Sequence, residues 1–216
     1  MMKAVWIATI VVALGANSDS ATAKVHVLAF GKWSTIQWQA DDASKVQDVK
    51  VRPLLVDGKV KEITLGPAHE VTDHIFVVQR MLRVNDSLPL ESVRWRWEKG
   101  GWLLVDRVSG RVQLLNLPEF DRNHSQVSWF RDYGAYCGIS DDGQKDFAII
   151  VQVARRKPLL KKALRDSSHE PCAPAWQRNP VRVSFATKED ATLTFTVNSL
   201  AVDIASDDTG TAEDED

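Results

Sequence analysis

Short apolar and aromatic runs, most of strand length, alternate along this chain with small polar turn sequences, most densely over residues 90–154. Val93, Trp95 and Trp97 alternate with Arg94, Arg96 and Glu98, so an extended segment here has one aromatic and one charged face. Lys99-Gly100-Gly101, Ser109-Gly110 and Asp141-Asp142-Gly143 punctuate the following runs and predict a succession of hairpins. Residues 103–105 and 147–153 are apolar without alternation, the pattern of strands covered on both faces.

The same signals recur on either side. Two short strands are predicted over 25–30 and 33–39, split by Gly31. Segments 49–56 and 59–65 flank Asp57-Gly58, a type I′ hairpin signal. Pro53 has no N–H to donate, which places its strand at a sheet edge. Residues 74–84 are rich in β-branched side chains and are predicted as a strand, closed by the loop that holds Asn85, Asp86, Ser87 and Pro89. Residues 155–166 break the pattern: Pro158 suits the first turn of a helix, with Leu159, Leu160, Ala163 and Leu164 on one face and Lys161, Lys162 and Arg165 on the other. Segments 181–185 and 193–197 alternate again and predict a last hairpin. The fold class is therefore all-β, an antiparallel meander with propeller-like, incomplete-barrel or sandwich packing and one short helix.

The runs WLLVDRVSGRVQLLNL and VSWFRDYGAYCGISDDGQKDFAIIVQV resemble the meander of a WD40-like β-propeller blade of the bacterial envelope kind. No second copy recurs at the period a propeller requires. The whole chain is similar to a group of exported bacterial proteins that share phrases such as RWRWxxGGWLLVDR and WxRDYxAYCG. That resemblance implies export and carries no activity with it.

The ends change the picture. Lys3, an apolar run over residues 4–15 and the small-x-small triplet Ala21-Thr22-Ala23 predict a cleaved leader over 1–23, too short in its apolar part for a membrane span. The expectation is a periplasmic or secreted protein with no transmembrane segment after cleavage. Residues 205–216 hold six carboxylates and no cation, and such a tail is predicted to be disordered. With those negatives set aside, the formal net charge of −2 becomes a mildly basic body, read as one β domain over 24–204. In an exported chain the only two cysteines, Cys137 and Cys172, are expected to form a disulfide.

Four constellations could carry function. Cys137 with one of the five histidines could act as a thiolate nucleophile, and Asp121 with His124 and Glu119 could form an acidic site; together they define a possible envelope hydrolase. No metal-binding spacing and no cofactor motif accompanies them, so the chain reads as non-catalytic, with no metal and no cofactor expected. Arg131, Asp132, Tyr133 and Tyr136 form a candidate binding surface of the residue types enriched where partners dock, suited to a protein, a glycan or a small molecule. Trp95, Trp97, Trp102 and Trp129 are read as core aromatics. Arg155, Arg156, Lys157, Lys161, Lys162 and Arg165 form a candidate basic patch for an anionic envelope component; nucleic acid is not an expected partner. The reading is an exported binding or scaffold domain, its ligand unspecified.

Overall fold

The computed structural model describes residues 25–39, 45–164, 172–186, 192–198 and 202–204. The leader expected over 1–23, the disordered tail expected over 205–216 and Arg165 of the basic patch lie outside the described residues. The described chain is all-β: its strands form three antiparallel sheets, none closed into a barrel, and it contains no helix.

Sheet A holds β1 (Leu28–Phe30), β2 (Ser34–Trp38), β3 (Gln47–Val56), β4 (Lys59–Glu70), β5 (Ile75–Asn85), β6 (Trp95–Asp106) and β7 (Arg111–Leu114). From β3 to β7 it is a plain meander, with β1 and β2 paired to successive parts of one edge of β3. The β3–β4 hairpin turns through Asp57 and Gly58, at φ 52° and 74°, as a type I′ turn requires. Pro53 does not mark an outer strand. It faces the break between β1 and β2, where Gly31 donates its N–H to the Pro53 carbonyl at 2.8 Å and no donor from the ring is needed.

Lys99-Gly100-Gly101 does not turn the chain either. It lies inside the twelve-residue strand β6, where the register against β5 slips between Gln79 and Met81, an irregularity that absorbs an extra residue.

Alternate side chains of a strand point to opposite faces. Phe76 and Val78 of β5 pack with Leu54, Leu103 and Val105, whereas Met81 of the same strand packs with Val51 and Trp38. The two clusters therefore lie on opposite faces of sheet A, β1 covering one and β2 the other. On the second face the sheet curls until β2 comes against β6 without pairing to it.

Sheet B holds β8 (Ser128–Phe130), β9 (Tyr133–Ile139), β10 (Asp146–Gln152) and β11 (Leu160–Ala163). Sheet C holds β12 (Ala175–Gln177), β13 (Arg182–Ala186), β14 (Thr192–Val197) and β15 (Val202–Ile204). The two make a sandwich whose core joins Tyr133, Ala135, Ala148 and Ile150 to Val183, Phe185, Phe195 and Val197. The other face of sheet B buries Tyr136, Ile149 and Val151 under Leu117, Phe120 and Val127, which is why β10 reads as apolar throughout. The two runs of the blade resemblance are divided by this topology, the first ending sheet A and the second supplying β8 to β10 of sheet B.

The expected helix over 155–166 is, where described, a bent link over 155–159 followed by the strand β11. Residues 160–163 pair with 147–150 of β10, Leu159 donates to Ile150, and Leu164 donates to Asp146. The open edge of β10 offers a ladder of partners, and Leu159, Leu160 and Leu164 reach the sandwich core from it. A short isolated helix has no comparable source of stability.

Candidate functional site

The candidate surface at Arg131, Asp132, Tyr133 and Tyr136 is dispersed by the pleat. Arg131 and Asp132 form the tight β8–β9 turn, with Arg131 exposed at φ 53° and Asp132 accepting from the Gln152 amide at 2.7 Å. Tyr133 and Tyr136 are both buried and cannot present a docking face. They belong to opposite cores of sheet B, and the Tyr136 hydroxyl donates to the Pro118 carbonyl at 2.7 Å. Burial pushes the Tyr136 phenol far above its ordinary range, so it stays a donor.

The candidate basic patch is also divided. Arg155, Arg156 and Lys157 are exposed in the β10–β11 link, but Lys161 and Lys162 point to opposite faces of β11. Lys161 pairs with Glu119 at 2.6 Å, while the Lys162 ammonium sits 5.7 Å from the centre of the Phe195 ring.

The two hydrolase sites have structural occupations. Cys137 and Cys172 stand at disulfide distance with their Cα atoms 5.8 Å apart, so Cys137 offers no thiolate. The Asp121 carboxylate accepts from the backbone N–H groups of Asn123 and His124, each at 2.8 Å, and lies 3.0 Å from His124 Nδ1. Burial pushes this carboxyl up, but those hydrogen bonds outweigh it and hold it below the usual aspartate range. The group closes its own loop. Among the described residues no cluster of three or more histidine, cysteine, aspartate or glutamate side chains is gathered as for a metal ion.

Two concavities among the described residues bear on function. One, of about 320 Å³, lies along the link from sheet A to sheet B and is lined by Gly101, Trp102, Leu114, Leu115, Asn116, Leu117 and Phe120. Beside it Trp129 meets Trp102 edge-on at 5.2 Å and stacks with His69 at 5.9 Å, and His69 Nε2 bonds the Arg131 carbonyl at 2.7 Å. This is packing between sheets.

The larger concavity, about 500 Å³, opens where curled sheet A leaves β2 and β6 unpaired. Gln37, Trp38 and Gln39 from the end of β2, with Val46, and Asp86, Trp95, Arg96 and Trp97 line it. Trp38 is buried and forms the base, with the Lys99 ammonium 3.9 Å from its ring centre. Burial holds the Lys99 ammonium below the usual lysine range. Trp97 is half-buried in the Met81 cluster, whereas Trp95 is 54% exposed, with the Arg83 guanidinium 5.3 Å from its ring centre. Arg96 reaches Glu98 at 2.6 Å and Asp86 at 3.7 Å. The cleft thus combines one accessible indole with amide, carboxylate and guanidinium groups, a mixed lining suited to a ligand with both an apolar face and hydrogen-bonding edges.

Trp102 and Trp129 are packed between sheets as expected of core aromatics, but Trp95 is not core. The sequence signal for it was its place just after the loop that holds Asn85, Asp86, Ser87 and Pro89; as the first residue of β6 it pairs with Asn85 of β5, and β7 pairs only with residues 103–106 of β6. Among the described residues no helix is long and apolar enough to cross a membrane. No protein-family model matches the chain, and no curated protein and no solved structure matches it either.

Proposed function

We propose that this protein is a non-catalytic binding module of the bacterial envelope and that its ligand, a saccharide, enters the cleft between β2 and β6. The observation that carries the reading is the exposed indole of Trp95 at the rim of a cleft that also presents Gln37, Gln39, Asp86 and Arg96. A sugar ring has an apolar face of C–H groups and a rim of hydroxyls. The first can lie on Trp95, and the second can exchange hydrogen bonds with Gln37, Asp86 and Arg96. The leader expected over 1–23 and the disulfide distance between Cys137 and Cys172 support a place outside the reducing cytoplasm.

The test is migration of the protein in native gels containing soluble polysaccharides. At least one polysaccharide should retard the unaltered chain, and Trp95→Ala should weaken that interaction about tenfold or more, roughly 1.4 kcal/mol. Trp33→Ala, which removes an exposed indole outside the cleft, should migrate as the unaltered chain does. The reading fails if no polysaccharide retards the protein, or if Trp95→Ala is retarded equally.

A further inference from the structure

The β5–β6 hairpin is built from two of the longest strands in the molecule, and its nine-residue connection, residues 86–94, ends in an apolar tip. Leu88 is 69% exposed, Leu90 107% and Val93 61%, and Pro89 between the leucines is exposed as well. A soluble surface tolerates scattered apolar side chains, but a contiguous set at a protruding tip marks a contact.

The tip is held firmly in this exposed form. Asn85 Oδ1 accepts from Ser87 N and Arg94 N, each at 3.2 Å, and from Ser87 Oγ at 2.8 Å. Glu91 Oε2 accepts from Leu88 N at 3.0 Å, and the Glu91 N–H returns to the Leu88 carbonyl at 3.1 Å. Asp86 N donates to the Arg94 carbonyl at 2.7 Å, and the Arg94 guanidinium donates to the Asp86 carbonyl and carboxylate at 3.0 and 3.2 Å. Within this frame Leu90 sits at φ 76°, a left-handed conformation that glycine adopts freely and leucine does not. A strained backbone that displays a leucine to solvent, braced from both sides, is an outlier that asks for a function.

We propose that residues 86–94 form a membrane-docking tip that seats Leu88, Leu90 and Val93 at the headgroup–acyl boundary of a lipid bilayer. The shape favours lipid over protein: a convex apolar point needs a matching cavity in a protein partner but none in a bilayer. The base of the tip carries the groups that suit the headgroup level. Trp95 supplies an indole with a polar N–H, and Arg83, Arg94 and Arg96 supply guanidinium groups on long apolar stems. The carboxylates there are Asp86, shared by Arg94 and Arg96, Glu91, turned to the Leu88 N–H, and Glu98, paired with Arg96, so the three guanidinium groups are balanced and the apolar tip with its flanking indole carries the docking. This inference does not rest on the saccharide reading of the cleft, although Trp95 adjoins both.

Co-sedimentation of the full chain with vesicles tests it. The unaltered chain should sediment with mixed phosphatidylethanolamine–phosphatidylglycerol vesicles. Leu88→Ser with Leu90→Ser should bind about tenfold more weakly, because each leucine buried at an interface contributes in proportion to its area. Both side chains are exposed, and the variants share residues 1–23, so any contribution of that segment cancels in the comparison. Leu90→Gly supplies the second arm: it should weaken vesicle binding while raising the midpoint of thermal unfolding, since it removes the side chain and the backbone strain together. Equal sedimentation of the unaltered chain and the serine variant overturns the proposal. So does a concentration-dependent dimer that the serine variant abolishes in the absence of vesicles, because the occupant is then a second copy of the chain.

Discussion

Asp121 illustrates how a residue suited to chemistry is used for shape. Its carboxylate closes residues 121–125 by accepting from two backbone N–H groups and facing the His124 ring, while Ser125 Oγ donates to the Cys137 carbonyl at 2.6 Å. Asp121→Ala removes those acceptors and should cost about 1–2 kcal/mol in chemical denaturation. Its pH dependence has a definite sign. The folded carboxyl titrates below the unfolded one, so its contribution is fully present above the unfolded aspartate pKa of roughly 3.9 and is lost as the pH falls through the lower folded value. The difference in stability between Asp121→Ala and the unaltered protein should therefore shrink as acid is added below about pH 4. A difference that stayed constant across that range would show that the carboxylate does not stabilise the loop. Sequence alone offered Asp121 as part of an acidic site and could not tell that from a self-capping carboxylate, because the distinction depends on which N–H groups face it.

At the scale of elements, what was legible followed from local chemistry, and what was missed came from distant partners. Asp57-Gly58 can adopt two successive positive φ values, so the β3–β4 hairpin was readable from two residues. The turn at Asp141-Asp142-Gly143 was readable because Gly143 takes the one left-handed position there, at φ 69°. Residues 160–163 were misread because their 3.6-residue pattern is genuine, yet the vacant edge of β10 lies outside any local window. Gly100-Gly101 was misread as a turn because paired glycines serve turns and strand irregularities alike. The cleft was least legible of all, since Gln37, Asp86 and Trp95 meet only through the curl of sheet A. The two glycines themselves can be told apart. A Cβ at Gly100 would lie 3.2 Å from Arg80 Cβ and 3.3 Å from the Arg80 carbonyl oxygen, whereas one at Gly101 would meet only the Leu114 side chain, at 3.5 Å. Gly100→Ala should destabilise by about 1–2 kcal/mol through overpacking, while Gly101→Ala should be neutral or stabilise by up to about 1 kcal/mol by restricting the unfolded chain. Thermal melts of the two single variants decide it, and equal losses would mean that backbone freedom rather than space governs both sites.

The molecule as a whole is held by separate cores: two on the faces of sheet A, and two more on the faces of sheet B, one of them shared with sheet C. Between sheets A and B run the Trp102–Trp129–His69 contacts and the Arg122–Glu98 pair at 3.2 Å, a narrower junction than either body's interior. The sulfur pair sits wholly within the second body, tying β9 to the approach to β12 and so sheet B to sheet C across their common core. Its sequence separation of 35 residues sets the entropy that the cross-link removes from the unfolded chain, about 4 kcal/mol in the chain-entropy account. Replacing both residues, Cys137→Ser with Cys172→Ser, should therefore lower stability by up to about 4 kcal/mol, and the loss should be uneven. Amide exchange should quicken throughout β8 to β15, while β3, β4, β5 and β6 keep their protection, because no contact of sheet A depends on either sulfur. If exchange quickens equally in sheet A and in the sandwich, the Trp129 junction couples the two bodies into one cooperative unit and the uneven loss is excluded. If protection is lost only in the sandwich, the cleft of sheet A stands on a scaffold that survives reduction, and its ligand binding should persist in the presence of a thiol reductant.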